Sequence, residues 1–113
     1  AVPLHKDKLE KRGYNQSGVI AAGLSEVLHI PYDADILQRS LFTETQTKKS
    51  RMERWENVKD IFEVQKQDLV TNKHILLLDD VITTGSTLEA CAVKLIANQG
   101  TKVSIVAVAH AEL

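Results

Sequence analysis

The densest group of chemically useful side chains in this sequence follows an apolar run. Ile75-Leu76-Leu77-Leu78 is succeeded by Asp79-Asp80, then by Val81-Ile82-Thr83-Thr84-Gly85-Ser86-Thr87. Gly85 permits a positive φ and lets backbone N–H groups come close to an anion. Thr83, Thr84, Ser86 and Thr87 add hydroxyl donors, and a helix opening here brings about half a positive charge to its N-terminus. Asp79 and Asp80 have the opposite preference. Ionised carboxylates only accept hydrogen bonds, which suits ribose hydroxyls or a hydrated magnesium ion. A ligand carrying both a diol and a phosphate satisfies the two halves together, so a sugar phosphate is the natural candidate.

Other proteins end an apolar strand in acids. The magnesium-holding strand of P-loop ATPases does so, but no G-x-x-x-x-G-K-[ST] precedes this one. A phospho-acceptor receiver domain has an acidic pair without a Thr/Ser/Gly loop directly behind it. A solvated turn, with Asp and Thr capping a helix, accounts for single residues but not for so dense a run.

These residues need a scaffold that holds them at one edge of a sheet. Ile75–Leu78 is the uninterrupted run expected of a central strand covered on both faces. A loop over 79–85 leads into a helix at about 86–98, where Leu88, Cys91, Ala92, Leu95 and Ile96 recur at helical spacing and Gly100 suits a left-handed cap. Val103–Ala109 is a second apolar strand, so the unit is a βαβ crossover with parallel strands. Ligands in such sheets bind beyond the carboxyl ends of the strands. Upstream, Asn15 as N-cap and a stripe of Val19, Ile20, Ala22, Gly23, Val27 and Leu28 predict a helix over about 16–29, closed before Pro31. Short strands are expected over Tyr32–Leu37, with Ile36-Leu37 as the buried part, and over Ile61–Val64, and a turn pivots on Asn72. The fold class is therefore α/β, a parallel twisted sheet flanked by helices. Residues 38–60 are poor in apolar side chains and rich in long polar ones, which marks a functional loop, a lid or a disordered segment; Ser50-x-x-Glu53 fits a capping box for a short helix within it.

With 113 residues, 43% hydrophobic and 26% charged, the chain has the composition of one globular domain. A formal charge of −1 supplies no dominant electrostatic grip on nucleic acid or anionic lipid. The charge is uneven, with ten Lys/Arg against eight Asp/Glu in residues 1–59 and four against seven in residues 60–113. No apolar run approaches the roughly 20 residues of a membrane-spanning helix. The single cysteine, Cys91, forms no internal disulfide, which suggests a reducing, cytoplasmic setting. With His5, His29, His74 and His110 scattered, it builds no metal cage. Ala1-Val2-Pro3-Leu4 carries no signal-peptide pattern and reads as the tail of a strand that begins before residue 1.

Segment 75–87 resembles the 5-phosphoribosyl-1-diphosphate (PRPP) signature of type I phosphoribosyltransferases: apolar residues, two acids, then a Thr/Gly/Ser loop. The resemblance implies that Asp79 and Asp80, the candidate catalytic pair, take the ribose diol directly or through magnesium. It gives the 5-phosphate to Thr83, Thr84, Gly85, Ser86 and Thr87. A narrower resemblance spans nearly the whole chain. Val2-Pro3-Leu4-His5, Arg12-Gly13-Tyr14-Asn15-Gln16, Leu37-x-Arg39, Gln46, Ser50-x-x-x-Arg54-x-x-Asn57 and Phe62 look like the ComF (competence protein F), or GntX-like, family. Members of that family usually carry an N-terminal zinc-ribbon segment with paired cysteines, which this chain lacks.

The family likeness makes Pro3–Lys8 the counterpart of the loop that meets pyrophosphate, but without a glycine before Gly13. His5, Lys6 or Arg12 then supply side-chain contacts, or simply form a solvated basic helix start. Residues 40–58 correspond to a lid that excludes water from the reacting centre. Gln46, Arg51 and Arg54, with Lys48, would neutralise diphosphate or grip a partner there, and Trp55 reads as a packing anchor. The implied activity is phosphoribosyl transfer from PRPP with magnesium to an unidentified nucleobase or amine. The alternative is a non-catalytic module in competence, acting on single-stranded DNA or protein partners. A homodimer is compatible with either, and membrane insertion with neither.

Overall fold

The computed structural model describes residues 1–39 and 61–112. The elements run α1 (Lys6–Arg12), α2 (Gln16–Leu28), β1 (Leu37–Arg39), β2 (Phe62–Val64), a 3-10 turn at Gln67–Leu69, β3 (His74–Ile82), α3 (Ser86–Ile96) and β4 (Lys102–His110). The expected lid and short helix, with Gln46, Lys48, Arg51, Arg54 and Trp55, lie outside the described residues.

The βαβ unit is present as expected. Strands β3 and β4 pair in parallel, from His74 opposite Lys102 to Ile82 opposite His110. The apolar run is the covered part of β3, where Leu77 and Leu78 are almost fully buried. Helix α3 packs against β2, β3 and β4. It buries Leu88, Cys91 and Leu95, whose i, i+3, i+7 spacing puts them on one face. These join Val2, Leu37, Phe62, Val70, Leu77 and Ala90 in a single core. Burial pushes the Cys91 thiol up to about 12, so it stays protonated and inert in the interior.

The first strand expected from the sequence is reduced to one contact, in which the Val2 N–H donates to the Leu78 carbonyl at 2.9 Å. That bond places Val2 beside β3. β1 and β2 form a separate antiparallel pair, Leu37 opposite Val64 and Arg39 opposite Phe62. Lys66 and Asp33 tie its base with a 2.8 Å ion pair.

Four details differ from the sequence expectation. Strand β1 occupies Leu37–Arg39, beyond most of the expected Tyr32–Leu37, because its pairing with Phe62–Val64 starts only at Leu37. Helix α1 starts at Lys6, because His5 caps it by accepting from the Asp7 N–H at 3.1 Å and Gly13 closes it at φ 83°. The loop over Pro3–Lys8 is therefore confined to its first residues. Strand β3 continues past Asp79 and Asp80 to Ile82, which shortens the following loop to Thr83–Gly85. The packed side of α2 is also rotated from the apolar stripe. Val19, Val27 and Leu28 are exposed, whereas Ser17 is buried and Ala21 and Leu24 are partly covered. Small side chains at 17, 18 and 21 let that side approach its neighbours closely. A Cβ at Gly18 would stand 3.2 Å from the Tyr32 hydroxyl.

The turn before β3 and the turn before β4 interlock. Asn72 (φ 58°) and Gly100 (φ 69°) are both left-handed, and the Asn72 N–H donates to the Gln99 carbonyl at 2.8 Å. A Cβ at Gly100 would lie 2.0 Å from Asn72 Oδ1. The amide side chain can swing aside, but the backbone strain remains. Gly100→Ala is expected to destabilise the protein by about 1–2 kcal/mol, read as a lower urea midpoint at unchanged m-value.

Candidate functional site

The acidic pair sits at the carboxyl end of β3, where the crossover leaves the sheet. The ladder with β4 pairs Asp79 and Val81 but passes over Asp80, and the Asp80 side chain lies close to that of Asp79. Asp79 is held from two directions. The Ser17 hydroxyl at the start of α2 donates to its Oδ1 at 3.2 Å, and the Asp80 N–H donates to the same oxygen at 2.9 Å. Asp80 in turn accepts from the Val81 N–H at 2.8 Å. Burial pushes the Asp79 carboxyl above its usual range and the neighbouring Asp80 side chain adds to this, while the Asp80 backbone amide and the Ser17 hydroxyl oppose it.

Ser17 is positioned by Asn15. The Asn15 side chain caps α2 by accepting from the Ser17 N–H at 3.1 Å, and its Nδ2 donates to the Val2 carbonyl at 3.0 Å. Asn15 thus joins the strand end at Val2 to the helix that holds Asp79. Its capping role is legible in the sequence. The Ser17–Asp79 contact spans 62 residues and has no local signal.

Beyond the acids the backbone wraps a small cavity of about 40 Å³, lined by Asp79 and by Val81 through Leu88. Gly85 occupies the N-cap of α3 at φ 82°, ψ 3°, with no side-chain cap over the helix end. Thr84 turns inward on the loop, its Oγ1 donating to Ser86 Oγ at 3.0 Å and accepting from the Ser86 N–H at 3.3 Å. Thr83, Thr84, Gly85, Ser86 and Thr87 are therefore brought together around one concavity, with Asp79 on its wall. Amides at a helix start, hydroxyls and an adjacent carboxylate can hold an anion on one side and a hydroxyl or hydrated cation on the other.

The basic residues of the N-terminal segment lie apart from this concavity. His5 uses Nδ1 to cap α1, and Arg12 donates from Nη1 to Gln16 Oε1 at 3.1 Å on the exposed surface. Lys6 lines a second, larger cavity of about 400 Å³ with Pro3, Leu4, Asn15, Tyr32 and Arg39. Among the described residues, no cluster of three or more His, Cys, Asp or Glu side chains is arranged to hold a metal, and no helix is long and apolar enough to cross a membrane.

A strand with two acids close to its carboxyl end, a left-handed glycine at the helix start and a parallel crossover agree with the comparison to known families: the phosphoribosyl transferase domain model matches residues 14–112. The chain belongs to that family. Among individual proteins it is similar to the DNA utilization protein YhgH of Escherichia coli (strain K12), with 34% identity over 105 residues, 93% of this chain and 45% of the relative. It is also similar to competence protein F of Haemophilus influenzae, 40% identical over 89 residues (77% of this chain, 38% of the relative). Competence protein ComFC of Bacillus subtilis is 37% identical over 91 residues (80% of this chain, 35% of the relative). The chain thus spans less than half the length of these curated relatives. No solved structure matches it.

Proposed function

We propose that this domain binds PRPP and transfers its phosphoribosyl group to a nucleobase or amine, releasing pyrophosphate. The observation that carries this reading is the placement of half-buried Asp79 on the wall of the cavity formed by Val81–Leu88, with Gly85 left-handed at the helix start. The 5-phosphate takes the amides and hydroxyls of Thr83, Thr84, Gly85, Ser86 and Thr87. Asp79 and Asp80 take the ribose hydroxyls. Two carboxylates are too few for a protein-only magnesium cage, but they suit a magnesium ion that arrives with the oxygens of PRPP. Bound that way, magnesium supplies charge neutralisation at the diphosphate. In the transfer the C1–O bond to diphosphate breaks, the acceptor nitrogen bonds to C1, and the nitrogen's proton is lost to solvent. The protein contributes fixed donors and orientation.

A direct test is thermal unfolding with PRPP and magnesium. A ligand at a hundred times its Kd, binding only the folded form, stabilises by about 2.7 kcal/mol, which is a rise of several degrees in a domain of this size. Ribose in place of PRPP should give no rise. Absence of any shift at millimolar PRPP would remove the reading. Pyrophosphate release in the presence of one member of a nucleobase and amine panel would then identify the acceptor.

A second reading rests on the names of the relatives, which are a DNA utilization protein and competence proteins. In it the domain serves DNA uptake as a non-catalytic module that grips single-stranded DNA or a protein partner. The net charge of −1 and the 4% aromatic content favour the enzyme over a DNA groove. A DNA affinity that falls steeply with salt, with no pyrophosphate release across the panel, would favour the module.

A further inference from the structure

Ser17 and Thr101 are the two buried polar side chains among the described residues. Thr101 gives its hydroxyl to a backbone carbonyl, that of Val70 at 2.7 Å. Ser17, at 3% exposure, instead reaches a carboxylate of the candidate site and donates to Asp79 Oδ1 at 3.2 Å.

The start of α2 leaves that hydroxyl little freedom. The Ser17 N–H is held by Asn15 Oδ1 at 3.1 Å, and Asn15 Nδ2 is tied to the Val2 carbonyl at 3.0 Å. The Val2 N–H in turn donates to the carbonyl of Leu78, the residue before Asp79. The contacts therefore close on themselves: they leave β3 at Leu78, pass through Val2, Asn15 and Ser17, and return to β3 at Asp79.

The hold on Asp79 is one-sided. Oδ1 accepts from both the Ser17 hydroxyl and the Asp80 N–H, and no N–H or hydroxyl of the described residues donates to Oδ2. The outer torsion of an aspartate is broad, so an unheld carboxyl group samples many orientations. With Oδ1 anchored toward α2, the plane of the group is set and Oδ2 stays available. Asp79 also lines the concavity of the Thr83–Thr87 loop, so the oriented oxygen belongs to the wall of the proposed site.

We infer that Ser17 is a positioning residue of this site, anchoring Oδ1 of Asp79 so that Oδ2 is the oxygen presented to the sugar hydroxyls or to their hydrated magnesium. The inference rests on the proposed function for its ligand and deepens the role given there to Asp79. Ser17 itself touches no ligand. A hydroxyl that merely satisfied itself in the interior would form the same hydrogen bond, and the experiment separates the two roles.

The full chain is titrated with ribose 5-phosphate and with inorganic phosphate, both with magnesium, in wild type, Ser17→Ala, Asp79→Ala and the double variant. The Gly85 N–H signal is followed by ¹⁵N NMR. Alanine at position 17 favours the helix and needs no more room than serine, so the fold is retained. Loss of a partner that orients a ligating carboxylate should weaken ribose 5-phosphate by about tenfold in Ser17→Ala. Inorganic phosphate, which engages the loop alone, should keep its affinity within about twofold in that variant. In the Asp79→Ala background, adding Ser17→Ala should change ribose 5-phosphate affinity by no more than about twofold, because nothing is left to orient. Equal ribose 5-phosphate affinity in wild type and Ser17→Ala overturns the inference and leaves the phosphoribosyl reading standing. So does a loss shared by inorganic phosphate, or one undiminished in the Asp79→Ala background, since either shows a structural role. Wild type that binds neither ligand removes the phosphoribosyl reading and this inference with it.

Discussion

With Asp79 and Asp80 both replaced by asparagine, PRPP binding is expected to fall by roughly 10²–10⁴-fold while the protein stays folded. Each carboxylate offers a charge-assisted hydrogen bond to a ribose hydroxyl, and two such bonds at about 1.5–3 kcal/mol each span that range. The fold should survive because the asparagine amide introduced at position 79 keeps an Oδ1. That oxygen can still accept from the two donors that now serve Asp79, the Ser17 hydroxyl at 3.2 Å and the Asp80 N–H at 2.9 Å. The pH dependence has a definite sign. The Asp79 carboxyl is raised in the folded state, chiefly by burial. The folded chain therefore holds that proton more tightly than the unfolded chain does. The stabilisation from this group is full below the unfolded pKa and is lost as pH rises through the folded one. At neutral pH the ionised carboxylate is a burden on the free protein. Asp79→Asn alone should melt at the same temperature or higher at pH 7, with the difference shrinking as the carboxyl protonates in acid. Unchanged PRPP affinity in the double variant would remove the acids from the site.

The second large effect is expected at Gly85. A Cβ built there meets nothing within 4 Å, so Gly85→Ala costs no clash. The cost lies in the backbone: at φ 82° an L-residue is strained by about 1–2 kcal/mol. Relaxing that strain turns the amides at the start of α3 away from the concavity. Binding of ribose 5-phosphate should therefore weaken by about tenfold or more, well beyond the modest loss of stability in urea. Equal affinity in Gly85→Ala would mean that the loop amides do not hold the phosphate.

These effects trace to features that differ in how plainly the sequence displays them. The crossover is the most legible, because Ile75–Leu78 and the 88, 91, 95 spacing are local patterns of burial and period. The limits of the acid loop are less legible: β-pairing with β4 carries the strand to Ile82, and pairing is a property of two segments rather than one. In helix α2 most of the expected apolar stripe points away from the core. Its close contact is made by Ser17, Gly18 and Ala21, where small size counts for more than hydrophobicity, and Val19 and Val27 remain exposed. Of the site, the Thr83–Thr87 cradle is readable because its chemistry is contiguous. Ser17 is not, since its role arises only when α2 docks beside β3.

The account turns on whether the loop after β3 holds a phosphate monoester. Amide-resolved NMR of the ¹⁵N-labelled chain, titrated with ribose 5-phosphate and separately with ribose, measures this at the atoms concerned. The expected result is saturable movement of the Thr84, Gly85, Ser86 and Thr87 N–H signals with ribose 5-phosphate and none with ribose. Movement confined to other residues, or identical responses to the two sugars, would contradict it.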